Sequence, residues 1–176
     1  MGNKVISFSL SENGVDKALQ ELQAYKQELT EKTNTLRQRV AERLREEAEQ
    51  GFNGAIVDDI IKGGTPIKAQ VSVTIDDRET VTVVVADNTN GHAVWDEFGA
   101  GVYHNGSAGS SPHPRGAELG FTIGGYGKGY GKKKVWGYDN GDGLKLTHGT
   151  PARMPMSQAM NTVINDIVSI AREVFG

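Results

Sequence analysis

The chain has 176 residues, no cysteine and a formal net charge of −3, and these numbers exclude several classes of function. Without cysteine there are no disulfides, no thiolate catalysis and no thiolate-held zinc or iron–sulfur cluster, which fits synthesis in a reducing cytoplasm. The charge balance is not that of a strongly basic nucleic-acid-binding protein. No apolar stretch reaches the ~20 residues that span a membrane, and the N-terminus lacks a secretory pattern.

Residues 15–50 contain neither glycine nor proline and predict a long amphipathic helix. Leu22, Leu29 and Leu36 recur every seven residues on one side, and charged residues lie opposite. One helix would be ~55 Å long at ~1.5 Å per residue, more than a small domain covers. Two readings stay open: one or two helices packed on the chain's own sheet, or an overhang that packs on another subunit. The poor helix formers between Thr30 and Thr35 mark where a break would fall.

Alternation of apolar and polar residues predicts several short strands. Residues 67–75 and 80–86 alternate on either side of the turn Asp76–Glu79 and predict an antiparallel hairpin. Residues 6–10 predict a short strand, and residues 135–138 with 144–146 predict one more hairpin. Residues 92–98 are compatible with either a short helix or a strand.

The C-terminal helix is predicted from Pro155 to Phe175, with proline in its first turn. Two adjacent apolar stripes cover about half of its circumference, so we expect the helix to be nearly buried. The sequence therefore predicts a single α+β domain over residues 1–176. In it, the long N-terminal helix and the C-terminal amphipathic helix pack on a small antiparallel β-sheet.

A glycine-rich loop is predicted as an insertion at about residues 99–149, which hold 15 of the 23 glycines. Such a segment is mobile or becomes ordered against a neighbour, because its few side chains cannot offset the entropy of ordering. Lysines alternate with aromatic residues there, and the candidate partner or nucleic-acid surface comprises Lys128, Tyr130, Lys132, Lys133 and Lys134. A solvated cationic loop tip, an electrostatic partner surface and a nucleic-acid contact all remain open.

No catalytic, cofactor or metal site emerges from the motifs. Gly124 and Gly129 have the spacing of a phosphate-binding loop, but Tyr130 stands where that loop requires lysine. Asp96 and Glu97 are adjacent carboxylates, but the sequence places no histidine, serine or second carboxylate beside them. General acid–base hydrolysis at this pair is therefore only a third hypothesis, and we predict neither enzyme activity nor a cofactor.

The two ends of the glycine-rich loop carry a family resemblance. The turn Trp95-Asp96-Glu97-Phe98-Gly99 follows the predicted hairpin, and Gly149-Thr150-Pro151-Ala152-Arg153 precedes the closing helix. In this order of elements the chain resembles the tail-completion, or neck, family of long-tailed bacteriophages, also described as minor capsid or head–tail joining proteins. The residues that carry the resemblance are Glu97, Phe98, Gly99, Pro151, Ala152 and Arg153.

The resemblance implies a structural virion protein of the neck, made in the host cytoplasm and assembled as a ring of identical subunits between head and tail. Neighbouring neck, connector and tail-tube proteins are the implied partners. At the loop roots we expect Phe98 to fill the core, Gly99 to turn where a Cβ atom would clash, and Glu97 to pair with Arg153. The alternative function is a small nucleic-acid-associated module that uses the lysine-rich loop.

Overall fold

The computed structural model describes residues 5–57, 63–76, 80–89, 91–99, 103–104, 107–108, 113–116, 135–139, 141 and 143–176. These residues form an α+β fold with helices α1 (Glu12–Phe52), α2 (His92–Phe98) and α3 (Pro155–Phe175). Their short strands are β1 (Ile56–Val57), β2 (Thr65–Pro66), β3 (Ala69–Ile75), β4 (Val81–Asp87), β5 (Tyr103–His104), β6 (Ser107–Ala108), β7 (Trp136–Asp139) and β8 (Leu144–Thr147). Consecutive strands pair antiparallel, giving four two-stranded sheets where we predicted a single one.

The chain divides into two compact units, Met1–Arg43 with Val163–Gly176, and Leu44–Thr162. In the first unit, Arg39 pairs with Glu173 at 2.9 Å and Arg43 with Asp166 at 3.3 Å. The partner of Arg43 precedes that of Arg39 along α3, so these parts of α1 and α3 run antiparallel. Both ion pairs are largely exposed and therefore add little to stability. That residues 1–176 form one domain stays a prediction.

Helix α1 is continuous, so the break near Thr30–Thr35 is not observed. The side chains there suit the helix because the hydroxyls of Thr30, Thr33 and Thr35 each donate to the carbonyl four residues earlier. Ser11 caps the N-terminus, its Oγ accepting the Gly14 amide at 3.2 Å.

Two sequence predictions are wrong. Residues 5–9 have no strand structure, and Phe8 and Leu10 are exposed. Their alternation is too short to form a strand without a neighbouring strand to pair with. Helix α3 is not nearly buried within one chain, because Met160, Ile164, Ile167 and Val168 are exposed.

The core of the second unit is assembled mainly from small residues that let the elements approach closely. Its buried members are Ala48, Phe52, Ala55, Ile67, Ala69, Val71, Ala93 and Ala159. The half-buried Val83 and Val85 pack against it from β4. The predicted hairpin is thus confirmed as β3–β4, paired one-to-one from Ala69–Asp87 to Ile75–Val81.

Glu49, near the end of α1, and Asn53, just after the helix, close the outer edge of β3. Asn53 imitates a neighbouring strand: its Oδ1 accepts the Ala69 amide at 2.7 Å and its Nδ2 donates to the Ala69 carbonyl at 3.3 Å. Glu49 accepts the Val71 amide at 3.1 Å. Both main-chain groups of Ala69 and the amide of Val71 are therefore satisfied within the chain on the side of β3 that faces away from β4.

Helix α2 begins at a turn organised by Asp87, which settles the helix-or-strand ambiguity of residues 92–98. One carboxylate oxygen accepts the Thr89 and Gly91 amides at 2.7 and 3.3 Å, and the other accepts the Ala93 amide at 3.0 Å. Burial acts to raise the pKa of Asp87, but the hydrogen bonds from Thr89, Ala93 and Gly91 together lower it. The carboxylate thus stays charged and holds the first turn of α2.

Replacement of Asn53 by alanine should destabilise the chain by about 1–3 kcal/mol, because the buried Ala69 amide loses its acceptor. The measurement is denaturant unfolding followed by circular dichroism. Asn88→Ala is the matched control, since Asn88 makes the same two kinds of bond to the exposed Lys68 amide and Pro66 carbonyl. Equal losses in the two variants would contradict the account.

Candidate functional site

Helix α2 ends in two adjacent buried carboxylates, Asp96 and Glu97, which are 1% and 6% exposed. Burying a charged group is unfavourable unless it is paired and hydrogen-bonded. Both carboxylates meet this requirement through contacts with distant parts of the chain. We call the cluster formed by Asp96, Glu97, His113, Arg153 and Ser157 the latch.

Asp96 forms a bidentate ion pair with Arg153. The Nε–Oδ1 distance is 2.7 Å and the Nη2–Oδ2 distance is 2.8 Å. Arg153 Nη2 also donates to the Gly51 carbonyl at 2.7 Å, in the last turn of α1, where a cation opposes the negative end of the helix dipole. The hydrogen bond with Asp96 raises the pKa of Arg153, burial lowers it, and the charge of Asp96 adds to the increase. The guanidinium is therefore fixed in its charged form between α2 and α1.

The main chain joins the same two segments. The Asp96 carbonyl accepts the amides of Arg153 and Met154 at 2.8 and 3.3 Å. Gly99 has φ +79°, and a Cβ atom there would lie 3.0 Å from the Ala152 nitrogen. This confirms the prediction that Gly99 turns where a side chain would clash. The two roots of the glycine-rich segment thus lie side by side.

Glu97 caps the N-terminus of α3 from outside the helix. Its Oε2 accepts the Met156 amide at 2.7 Å, and its Oε1 accepts the Ser157 amide at 3.1 Å and hydroxyl at 2.8 Å. The residue before the helix is Met154, with φ +56°, whose side chain has no oxygen to serve as a cap. Pro155 has no amide hydrogen. Glu97 therefore supplies the acceptors for the Met156 and Ser157 amides, and the Met154 carbonyl accepts the Gln158 amide at 2.9 Å.

His113 completes the latch. Its Nε2 lies 3.0 Å from Glu97 Oε1 and 2.8 Å from Ser157 Oγ, and its Nδ1 accepts the Arg115 amide at 3.0 Å. Because Nδ1 is an acceptor, the ring hydrogen sits on Nε2 and points toward Glu97 and Ser157. A histidine that activates a serine presents a bare Nε2 to the hydroxyl, with the carboxylate on Nδ1. This arrangement is a hydrogen-bonded cap rather than a nucleophile and its base.

Two predictions at the loop roots are corrected. Arg153 pairs with Asp96 and not with Glu97, because the Glu97 carboxylate is occupied by the first turn of α3. Phe98 does not fill the core: it is half-buried and its ring lies 4.3 Å from that of His113. Pro151 is exposed. The predicted partner surface Lys128, Tyr130, Lys132, Lys133 and Lys134 lies outside the described residues.

Sequence reasoning missed three members of the latch, namely Asp96 as the partner of Arg153, and His113 with Ser157 as partners of Glu97. A signal for a distant cap exists in the sequence, since Met154 and Pro155 open α3 with no local capping side chain. The sequence alone does not say which of the 22 acidic residues supplies it.

Comparison of the chain with models of protein families, with curated proteins and with solved structures found no match. Among the helices that the structure describes, none is both long and apolar enough to cross a membrane. Within the same part of the chain, no group of three or more histidine and acidic side chains is arranged to hold a metal ion.

Replacement of Arg153 by alanine should cost on the order of 3 kcal/mol, because it leaves the buried Asp96 carboxylate without compensation. Replacement of Asp96 by alanine should cost less, because the Arg153 side chain is 37% exposed and water can solvate it. The double variant Asp96→Ala/Arg153→Ala should lose less than the sum of the single losses, by about 1–3 kcal/mol. Denaturant unfolding of the wild type and the three variants measures this coupling. Additive losses would mean that the pair does not stabilise the fold.

Replacement of Glu97 by glutamine should destabilise the chain by about 1–2 kcal/mol, the usual cost of losing a helix cap. In the wild type the two carboxylate oxygens accept the Met156 and Ser157 amides separately. The glutamine side chain has only one acceptor oxygen, so one of these hydrogen bonds is lost. Glu46→Gln is the control, because it makes the same chemical change at an exposed position of α1 and should shift stability by under ~0.5 kcal/mol. Thermal and denaturant unfolding of both variants distinguish the cap from a general charge effect.

Proposed function

We propose that this chain is a structural subunit of the neck of a long-tailed bacteriophage, where a ring of identical copies joins tail to head. The observation that carries the proposal is the latch. Of the residues on which the family resemblance rests, Glu97 and Arg153 belong to the latch, and Gly99 packs against Ala152 beside it. Residues that are far apart in sequence support a family resemblance more strongly when the structure places them close together.

The latch suits a scaffold that presents a long loop to a partner. It fixes both roots of the segment between Gly99 and Gly149 with an ion pair, main-chain hydrogen bonds and a helix cap. The segment thus begins and ends at a rigid base while its length is free to differ between proteins. We propose that the segment contacts the neighbouring subunit or the adjoining ring of the neck.

Exposed apolar faces on both long helices support an assembling protein. Val15, Leu19, Leu22 and Leu29 are exposed along one side of α1, at helical spacing. Met160, Ile164, Ile167 and Val168 are exposed along α3. Contiguous exposed apolar surface of this kind marks interfaces with other chains. Contacts of a heterologous type that close on themselves make such surfaces into a ring.

Deletion of the gene from the phage that carries it tests the proposal. Negative-stain electron microscopy of the lysate should show full heads separate from unattached or incorrectly terminated tails. Expression of the wild-type chain in the host should restore joined particles. A complementing Arg153→Ala chain should restore fewer, because the base of the loop is loosened. Normal infectious particles from the deletion strain would contradict the proposal.

A further inference from the structure

The outer edge of β4 differs from that of β3 in what faces it. The amides of Ala69 and Val71 donate to the side chains of Asn53 and Glu49, so the main-chain groups of the odd-numbered residues of β3 point away from β4. In an antiparallel pair the residues that exchange hydrogen bonds alternate with residues that do not. The even-numbered residues of β3 therefore bond to β4, and the observed register pairs Gln70 with Ala86 and Ser72 with Val84.

It follows that the main-chain groups of Val81, Val83 and Val85 point to the outer side of β4. Among the described residues none pairs with them: β3–β4 is a two-stranded sheet, and no turn or loop hydrogen bond reaches these three residues. Strand edges that stay unpaired normally carry lysine, proline or a bulge. From Val81 to Asp87, β4 has none of these, and its pairing with β3 is one-to-one throughout.

We infer that β4 pairs antiparallel with β4 of a second copy of this chain, about a two-fold axis at Val84. In that register Val83 faces Val85 of the second copy, and Val81 faces Asp87 of the second copy. The main-chain N–H and C=O groups that point outward from one β4 then meet those of the other β4. The result is a four-stranded sheet in the order β3, β4, β4, β3.

The charge distribution favours a second copy over a charged partner strand. Residues 81–86 read VTVVVA and contain no charge, so self-pairing opposes no like charges, which are destabilising across strands. The nearest charge, Asp87, is occupied by the amides of Thr89, Gly91 and Ala93. Val84, 52% exposed, meets its own copy across the axis, and pairs of β-branched residues stabilise such contacts.

This inference goes beyond the proposed function and does not depend on it. Neighbours within a ring are related by rotation about the ring axis, whereas β4 pairing relates two copies by a two-fold axis. The strand edge therefore joins free subunits, or subunits of two facing rings, and the exposed helix faces remain for contacts within a ring.

Because the full chain lacks cysteine, single cysteines test the register directly. At the axis Val84 faces itself in a pair without hydrogen bonds, where Cα atoms lie about 4.5 Å apart, within the ~4.4–6.8 Å that a disulfide spans. Val84→Cys should therefore cross-link most chains under mild oxidation, as seen on a non-reducing gel. Thr82 lies roughly 14 Å from its own copy at ~3.4 Å per residue, so Thr82→Cys should cross-link at least ten-fold less.

The matched positive control mixes two single variants. Thr82 faces Ala86 of the second copy, so Thr82→Cys and Ala86→Cys together should give the cross-linked heterodimer that neither gives alone. Equal cross-linking of Val84→Cys and Thr82→Cys, or no heterodimer in the mixture, would overturn the inference. Neither result depends on the deletion phenotype, so failure of the strand pairing and failure of the neck function are distinguishable.

Discussion

Two neighbouring carboxylates at the end of a seven-residue helix impose the constraint on which the second unit depends. The side chains of Asp96 and Glu97 are both buried, so each carboxylate needs its own hydrogen-bond donors. Three other segments of the chain supply these donors. The guanidinium of Arg153 satisfies the first, and the opening turn of α3 with His113 satisfies the second. These contacts bring together the end of α1, the whole of α2, the start of α3 and the turn at residues 113–116.

Elements with strong local patterns were predictable from sequence. The bounds of α3 and the β3–β4 hairpin are confirmed because their spacing and turns are encoded within the elements. The latch was only partly predictable from sequence. Its position between the loop roots could be predicted, but the partner of Arg153 could not. Asp96 and Glu97 are adjacent, and only the direction of α2 decides which carboxylate meets the guanidinium. His113 and Ser157 approach Glu97 from 16 and 60 residues away, a relation that no local pattern encodes.

The exposed apolar surfaces lie on parts of the chain that the latch and the core do not use. The latch and the alanine-rich core hold the loop roots without using the apolar faces of α1 and α3 or the outer edge of β4. We propose that those surfaces contact other chains in two arrangements of different symmetry. Helix faces suit the repeated contacts of a ring, while an uncharged strand edge suits pairing with its own copy.

Hydrogen–deuterium exchange of the Met154, Met156 and Ser157 amides tests most directly whether Asp96 and Glu97 hold the start of α3. Amides in the first turn of a helix normally exchange fast because they have no partner within the helix. If the latch is formed in solution, these three amides exchange as slowly as those in the middle of α3. Exchange as fast as that of the exposed Ser7 would show that the first turn of α3 is uncapped and would contradict the account.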